Sequence, residues 1–334
     1  MNVFVSIPQG SEVSETFFPH GVRQYLEERH AVSWLPLARG LTQQELPLYA
    51  KDAEVIVTGW GHVPLTAQLL KQTKIRLIVH TGGSVGSLVD AGVYEHGTRV
   101  ISGNNLYADS VAEGVLAYML AALRKIPDAV NAVRAGGWSR DSPDTEGLLD
   151  RSVGIIGMGA ISLRLMRLLQ PFGVFIKIFS HYPVPETVLR ECHAQQASLE
   201  EVFATCKIVS LHASMNEKTR GMIQKKHFDL LADGAIFVNT ARGRIIKEDE
   251  MIAALSENRF RAILDVYEEE PLALDSPLRH LSNVYCMPHQ AGPTLDRRAV
   301  IARHLIDNIA KFEAGEEMEL EIGKEYARRM TVGG

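Results

Sequence analysis

The chain lacks any long, uninterrupted apolar run, so no segment is expected to cross a membrane. It also lacks a basic block: 35 Lys and Arg stand against 40 Asp and Glu, a net charge of -5. Neither nucleic acid nor an anionic lipid surface is therefore an expected partner. Cysteine is scarce. Cys192, Cys206 and Cys286 are odd in number, widely spaced and without metal-ligand company, which disfavours a disulfide framework or a metal site and predicts reduced core residues. The start, Met1-Asn2-Val3-Phe4-Val5-Ser6-Ile7, has neither the basic nor the apolar region of a signal peptide. It reads as a first strand, and a cytoplasmic location is expected. Repeats and low-complexity stretches are absent as well. What the chain does have is 334 residues at 46% apolar composition, enough for full cores in two domains.

One turn organises the rest: Val153-Gly154-Ile155-Ile156-Gly157-Met158-Gly159-Ala160-Ile161-Ser162. Val153–Ile156 reads as a strand buried on both faces of a parallel sheet, and Ile161–Leu169 as the following helix. Strand, glycine turn and helix form the setting in which G-x-G-x-x-G signifies a dinucleotide site. Gly157 allows the tight turn, and Gly159 lets backbone approach a pyrophosphate at the helix N-terminus. Ser162 replaces the third glycine, which predicts a helix set slightly farther from its strand.

Residues 1 to about 105 alternate strand runs (Val3–Ile7, Val55–Thr58, Leu77–Val79, Val100–Ile101) with helical stretches such as Glu15–Arg29 and Leu65–Gln72. That pattern predicts a small α/β domain with a parallel sheet. Its loop His80-Thr81-Gly82-Gly83-Ser84-Val85-Gly86 is either a nest of N–H groups for an anion or a plain connection. Asp109–Arg124 reads as a long apolar helix, and 125–150, with Gly136-Gly137-Trp138 and Ser142-Pro143-Asp144, as an excursion or dimer arm. A second series follows: the Gly157 strand, Phe175–Phe179, Ile208–Leu211, Ala235–Val238, Arg261–Val266 and Val284–Met287. Those six strands make a complete doubly wound sheet. Leu295–Ala314 is the last helix, and the tail from Gly315 shows no strong pattern.

Ligands of open α/β sheets sit beyond the carboxyl ends of the strands. Arg242, Glu270 and His289 each follow a strand of the second series. An Arg fork holds a carboxylate in two parallel hydrogen bonds. A His exchanges a proton with a carbonyl or alcohol, and a carboxylate beside it favours the charged imidazolium.

Phe237-Val238-Asn239-Thr240-Ala241-Arg242-Gly243 resembles the arginine signature of the D-isomer-specific 2-hydroxyacid dehydrogenases. Leu264-Asp265-Val266-Tyr267-Glu268-Glu269-Glu270-Pro271 resembles their acidic segment, and Met287-Pro288-His289-Gln290-Ala291-Gly292 their histidine segment. Ser110-Val111-Ala112-Glu113 is similar to their interdomain helix. The resemblance implies two doubly wound α/β domains, with a Rossmann NAD(P)-binding domain inserted into a flavodoxin-like substrate domain. The substrate domain would comprise 1–108 and 291–334, and the cofactor domain 109–290 with a dimer arm near 125–150. By the same resemblance, Arg242 binds the substrate carboxylate, His289 is the general acid or base, and Glu270 pairs with His289. Gly157, Met158, Gly159, Ala160 and Ile161 take the pyrophosphate. His212, Ala213, Ser214 and Thr219 line the adenosine side, Thr240 and Ala241 the nicotinamide ribose, and Asp265 the cofactor side of the cleft. Gly83 and Ser84 offer backbone N–H groups to the substrate.

The implied reaction is hydride transfer between NAD or NADP and a small 2-oxo or 2-hydroxy acid, of the glyoxylate/hydroxypyruvate or phosphoglycerate kind, by a homodimer. An NAD(P)-sensing corepressor on the same fold is the alternative from another class. Formate oxidation is disfavoured by Glu270. Ser180 replaces the acidic residue that bonds the ribose 2′-hydroxyl in NAD-preferring members, and His181 beside it suits a 2′-phosphate. A modest preference for NADPH is expected.

Overall fold

The computed structural model describes residues 1–138 and 145–331. The Ser142-Pro143-Asp144 part of the polar excursion lies outside the described residues. The chain divides into two compact units: Met1–Tyr107 with Pro293–Gly334, and Ala108–Gly292.

The first unit is built on five parallel strands, β1 (Asn2–Val5), β2 (Ala31–Trp34), β3 (Val55–Thr58), β4 (Leu77–His80) and β5 (Arg99–Ser102). Their order is β2-β1-β3-β4-β5, the flavodoxin-like arrangement. Short runs of β-branched and aliphatic residues alternate between its two faces. Phe4, Ile56, Ile78 and Val100 enter one core cluster, while Val3, Val5, Val57, Val79 and Ile101 enter the other. Each fully buried aliphatic side chain is worth about 1.5–3 kcal/mol. A sheet apolar on both faces needs helices on both. Pro19 caps the helix His20–Glu27 and separates it from Glu12–Phe17, so the single Glu15–Arg29 helix expected from sequence is two.

The second unit holds seven parallel strands: β6 (Ser152–Ile156), β7 (Phe175–Phe179), β8 (Ala194–Gln196), β9 (Ile208–Leu211), β10 (Ile236–Asn239), β11 (Arg261–Leu264) and β12 (Val284–Cys286). The order β12-β11-β10-β9-β6-β7-β8 is the Rossmann order with one strand added, and it reverses between β6 and β9. Sequence reading expected six strands. The seventh, β8, is an edge strand of Ala194-Gln195-Gln196 that pairs with β7, too short and polar to stand out.

The long apolar helix expected at Asp109–Arg124 spans Asn104–Leu123. By length and composition alone it could cross a membrane. Its Val111, Ala112, Val115, Met119, Ala122 and Leu123 pack into the core against Ile155, Ile176 and Val238, which accounts for its apolar residues. The tail also has more order than its sequence announces. Glu321 bridges Ile101 antiparallel at the β5 edge, and Met318, Leu320, Ile322, Ala327 and Met330 are buried. Cys192 and Cys206 are buried, Cys286 is half-buried, and all are free thiols.

Candidate active site

Where the second sheet reverses, β6 runs into the glycine turn. Gly157 has φ +100°, and a Cβ there would stand 2.6 Å from the Ala213 backbone. It is glycine for two reasons, the left-handed backbone and the close approach of the segment after β9. A Cβ on Gly159, by contrast, would meet nothing within 4 Å. Gly159 caps the ten-residue helix Ala160–Leu169 without any side-chain capping bond, so the first-turn amides are left without a capping side chain. That is the form of a phosphate cradle. Ser162, at the third-glycine position, is fully buried and donates from Oγ to the Gly157 carbonyl at 2.6 Å. The hydroxyl ties the helix to its own turn.

After β9, His212 Nε2 lies 2.8 Å from Ser210 Oγ, and its buried Nδ1 has no partner among the described residues. Burial lowers this imidazole to about 4. Thr219 is buried and donates from Oγ1 to the Ser214 carbonyl at 2.7 Å, fixing the Ser214–Thr219 loop. Ser180 follows β7, and its Oγ accepts the Tyr182 N–H at 3.2 Å. His181 is exposed, with its ring edge-on to Phe179.

The arginine loop follows β10. Asn239, wholly buried, accepts the Ala241 N–H at 3.0 Å and donates to the Arg242 carbonyl at 3.2 Å. It shapes the turn that presents Thr240, Ala241 and Arg242. Thr240 Oγ1 and Arg242 Nε are buried and unpartnered among the described residues. Arg242 donates from Nη1 to the Ala241 carbonyl at 2.7 Å. Burial pulls its pKa below the usual guanidinium range, and the Glu270 charge opposes that shift. A cation this desolvated, with a free donor, is suited to an anionic ligand. Gly243 comes next, and a Cβ on it would lie 1.9 Å from the Tyr267 carbonyl carbon. Only glycine allows the arginine loop to pack flat on the Tyr267–Glu268 backbone.

That backbone leads to Glu270. Oε1 accepts the Tyr267 N–H at 3.1 Å, and Oε2 lies 2.6 Å from His289 Nδ1. A carboxylate only accepts, so Nδ1 carries the proton of this bond. Nε2 has no partner among the described residues. His289 sits at φ +51°, unusual for a non-glycine residue. The residues around it explain how that conformation holds. Buried Asp265 takes the Gln290 N–H on Oδ1 and the Ala291 N–H on Oδ2, each at 2.9 Å, and Tyr118 Oη donates to Oδ1 at 3.1 Å. Tyr267 Oη lies 2.9 Å from the carbonyls of both Leu264 and Met287. Asp265 and Tyr267 thus clamp the histidine loop to the end of β11.

In the first unit, the Gly82–Gly86 loop follows β4. Ser102 Oγ donates to the Gly83 carbonyl at 2.9 Å, and Ser84 Oγ to the Thr331 carbonyl at 2.8 Å. Among the described residues, the N–H groups of Gly82, Gly83, Ser84 and Val85 have no protein acceptor. Sequence reasoning singled out Arg242, Glu270 and His289 but missed Asn239, Tyr118, Tyr267 and Gly243 as their supports. Asn239 carried a signal, a polar residue closing the apolar run Ile236–Val238. Tyr118, remote in sequence on a core helix, carried none.

Residues 116–291 match the family model described as D-isomer specific 2-hydroxyacid dehydrogenase, NAD binding domain. The chain is 32% identical to the D-3-phosphoglycerate dehydrogenase of Methanocaldococcus jannaschii over 86% of its own length and 55% of that protein's. For the corresponding enzyme of Archaeoglobus fulgidus the share of the relative is 52%, so the chain spans about half the length of these relatives. It is 31% identical to the glyoxylate reductase of Aeropyrum pernix, covering 71% of this chain and 73% of the relative. The D-mandelate dehydrogenase of Rhodotorula graminis shares the fold, with a TM-score of 0.80 at 20% identity, covering 96% of this chain and 97% of that one. With more than half of the chain matching that family model and 31% identity to the Aeropyrum enzyme over 71% of its length, the chain belongs to the D-isomer-specific 2-hydroxyacid dehydrogenase family.

Proposed function

We propose that the chain is an NAD(P)-dependent oxidoreductase that reduces a small 2-oxo acid to the D-2-hydroxy acid, and runs the reverse reaction. The observation that carries this reading is the 2.6 Å Glu270–His289 pair, with desolvated Arg242 on a neighbouring strand end. Nδ1 of His289 is engaged by Glu270, so Nε2 is the atom that delivers a proton to the carbonyl oxygen in reduction and removes it in oxidation. Arg242 holds the carboxylate and polarises the carbonyl beside it. A ligand without the carboxylate leaves the guanidinium unpaired, which selects 2-oxo acids over simple ketones. Gly83 and Ser84 enter as substrate contacts through the family resemblance and their free N–H groups.

The residues present fit a dinucleotide. Gly157 to Ile161 would hold the pyrophosphate, with His212, Ala213, Ser214 and Thr219 on the adenosine side and Thr240 and Ala241 at the nicotinamide ribose. The unpartnered His212 Nδ1 and Thr240 Oγ1 are polar atoms such a ligand would satisfy. When bound, the nicotinamide supplies or accepts the hydride. Asp265 acts here through the histidine loop, because its carboxylate is committed to Gln290, Ala291 and Tyr118.

Small neutral side groups, as in glyoxylate, hydroxypyruvate or pyruvate, are the expected substituents, consistent with the glyoxylate reductases among the relatives. The test is NADH and NADPH oxidation over a panel of 2-oxo acids and their carboxylate-free analogues. Turnover confined to the acids supports the reading, and equal kcat/KM for the two sets would end it.

The helix Ile126–Arg134 supports the homodimer reading. Its Ile126, Val130 and Val133 are exposed along one face, and Trp138 beyond it is 81% exposed. An apolar stripe of this kind suits a second copy of the chain across a two-fold axis. Light scattering at micromolar concentration should show a dimer, and a monomer alone would count against it.

A further inference from the structure

Gly86 poses a question that its own backbone does not answer. Its φ lies outside the left-handed region, so conformation does not demand glycine. Space does: a Cβ there would stand 2.5 Å from the Thr331 carbonyl oxygen and 3.1 Å from that of Met330. The end of the described chain lies directly on the Gly82–Gly86 loop.

The contact is built from both sides. Ser84 Oγ donates to the Thr331 carbonyl at 2.8 Å and accepts the Gly86 N–H at 3.3 Å. One hydroxyl therefore shapes the turn and pins it to the tail. Ala327 and Met330 are buried in the same core cluster as Val85, Leu88 and Val89, which follow in the loop. Tyr326 Oη accepts from Asn104 Nδ2 at 2.9 Å, and Asn104 follows the Ser102-Gly103 segment that holds the loop from the other side. Upstream, Lys324 pairs with Glu95 at 2.7 Å, and Glu321 pairs with Arg99. Held in this way, the loop keeps together the N–H groups of Gly82 to Val85, which have no protein acceptor among the described residues. Adjacent unpaired amides in a tight turn form an anion-binding nest.

We propose that the carboxyl-terminal segment Gly323–Thr331 is the positioning element of this nest and sets the affinity for the substrate carboxylate. The proposal rests on the 2-oxo-acid reading of the loop given above. The segment touches the substrate only through the loop. Its loss is therefore felt in acid binding, while the proton transfer at His289 and the cofactor turn at Gly157 are unaffected.

Two full-length variants test this from opposite sides. Gly86→Ala places a methyl against the Thr331 carbonyl, and Met330→Ala loosens the tail while the loop sequence stays intact. Both should raise KM for the 2-oxo acid about tenfold, as misplaced binding groups do. Both should leave kcat and the cofactor KM within about twofold, the signature of lost ground-state binding. Hydrogen exchange of a peptide covering residues 82–88 should quicken in both. Unchanged KM with unchanged exchange would overturn the proposal. So would equal losses in kcat, cofactor KM and global melting temperature, which mark general unfolding. If the wild type turns over no 2-oxo acid, the functional reading falls, and the exchange measurement alone decides whether the tail orders the loop.

Discussion

His289 Nδ1 stands 2.6 Å from Glu270 Oε2, although the two residues are 19 positions apart and belong to loops after different strands. The second carboxylate oxygen is held by the Tyr267 N–H, so the glutamate cannot swing away without losing a backbone bond. With Nδ1 so engaged, Nε2 is the ring nitrogen left without a partner among the described residues.

Replacing His289 with Gln should therefore lower the rate of 2-oxo-acid reduction by roughly 10²–10⁴, the usual contribution of a positioned acid. Glu270→Gln should cost less, because an amide oxygen can still accept from Nδ1 while the charge assistance to that bond is lost. Steady-state rates across pH check both. A His289→Gln protein with near-normal turnover would sink the assignment.

Asp265 is expected to matter through position. Its two oxygens take the N–H groups that directly follow His289. In Asp265→Asn the amide turns a donor toward one of those N–H groups. A buried donor left unpaired costs about 1–3 kcal/mol. Both the melting temperature and kcat should fall, with the cofactor dissociation constant changed less. An Asn variant that melts and turns over like the wild type would refute this.

Cofactor choice should respond to Ser180. Its hydroxyl is turned to the Tyr182 N–H, and no carboxylate stands there to repel a 2′-phosphate. Both cofactors should be used, with NADPH modestly favoured. Ser180→Asp should swing the preference to NADH. The ratio of kcat/KM for the two cofactors decides it, and a wild type strongly selective for NADH would contradict the argument.

Stability should fall in mild acid. Burial holds His212 at about 4 and His80 at about 3, against 6.5 for an exposed imidazole. The unfolded chain thus takes up these protons first as pH drops through about 6.5, while the folded chain stays neutral there. With more protons bound when unfolded, stability is full above about 6.5 and declines toward 4. Urea midpoints measured above and below pH 6.5 should differ, and His212→Gln should shrink the gap. Equal midpoints for the wild type would exclude this role for the buried histidines.

The central strands were legible from sequence because they are buried on both faces. Val55–Thr58 and Ile208–Leu211 read as apolar runs for that reason. The two missed strands, Ala31–Trp34 and Ala194–Gln196, lie at sheet edges, where partial exposure removes the run. The glycine turn and the Arg242, Glu270 and His289 motifs were likewise legible, since each is local in the chain and carries its own chemistry.

Tertiary structure alone decided what supports them. Tyr118 reaches Asp265 across 147 positions, and Ser84 reaches Thr331 across 247. Contacts of that kind depend on where folding brings two distant backbones, and no local residue pattern encodes them. The same holds for the two glycines set by packing. Gly86 and Gly243 are glycine because another stretch of backbone occupies the space of a Cβ, and only the folded chain shows which stretch it is.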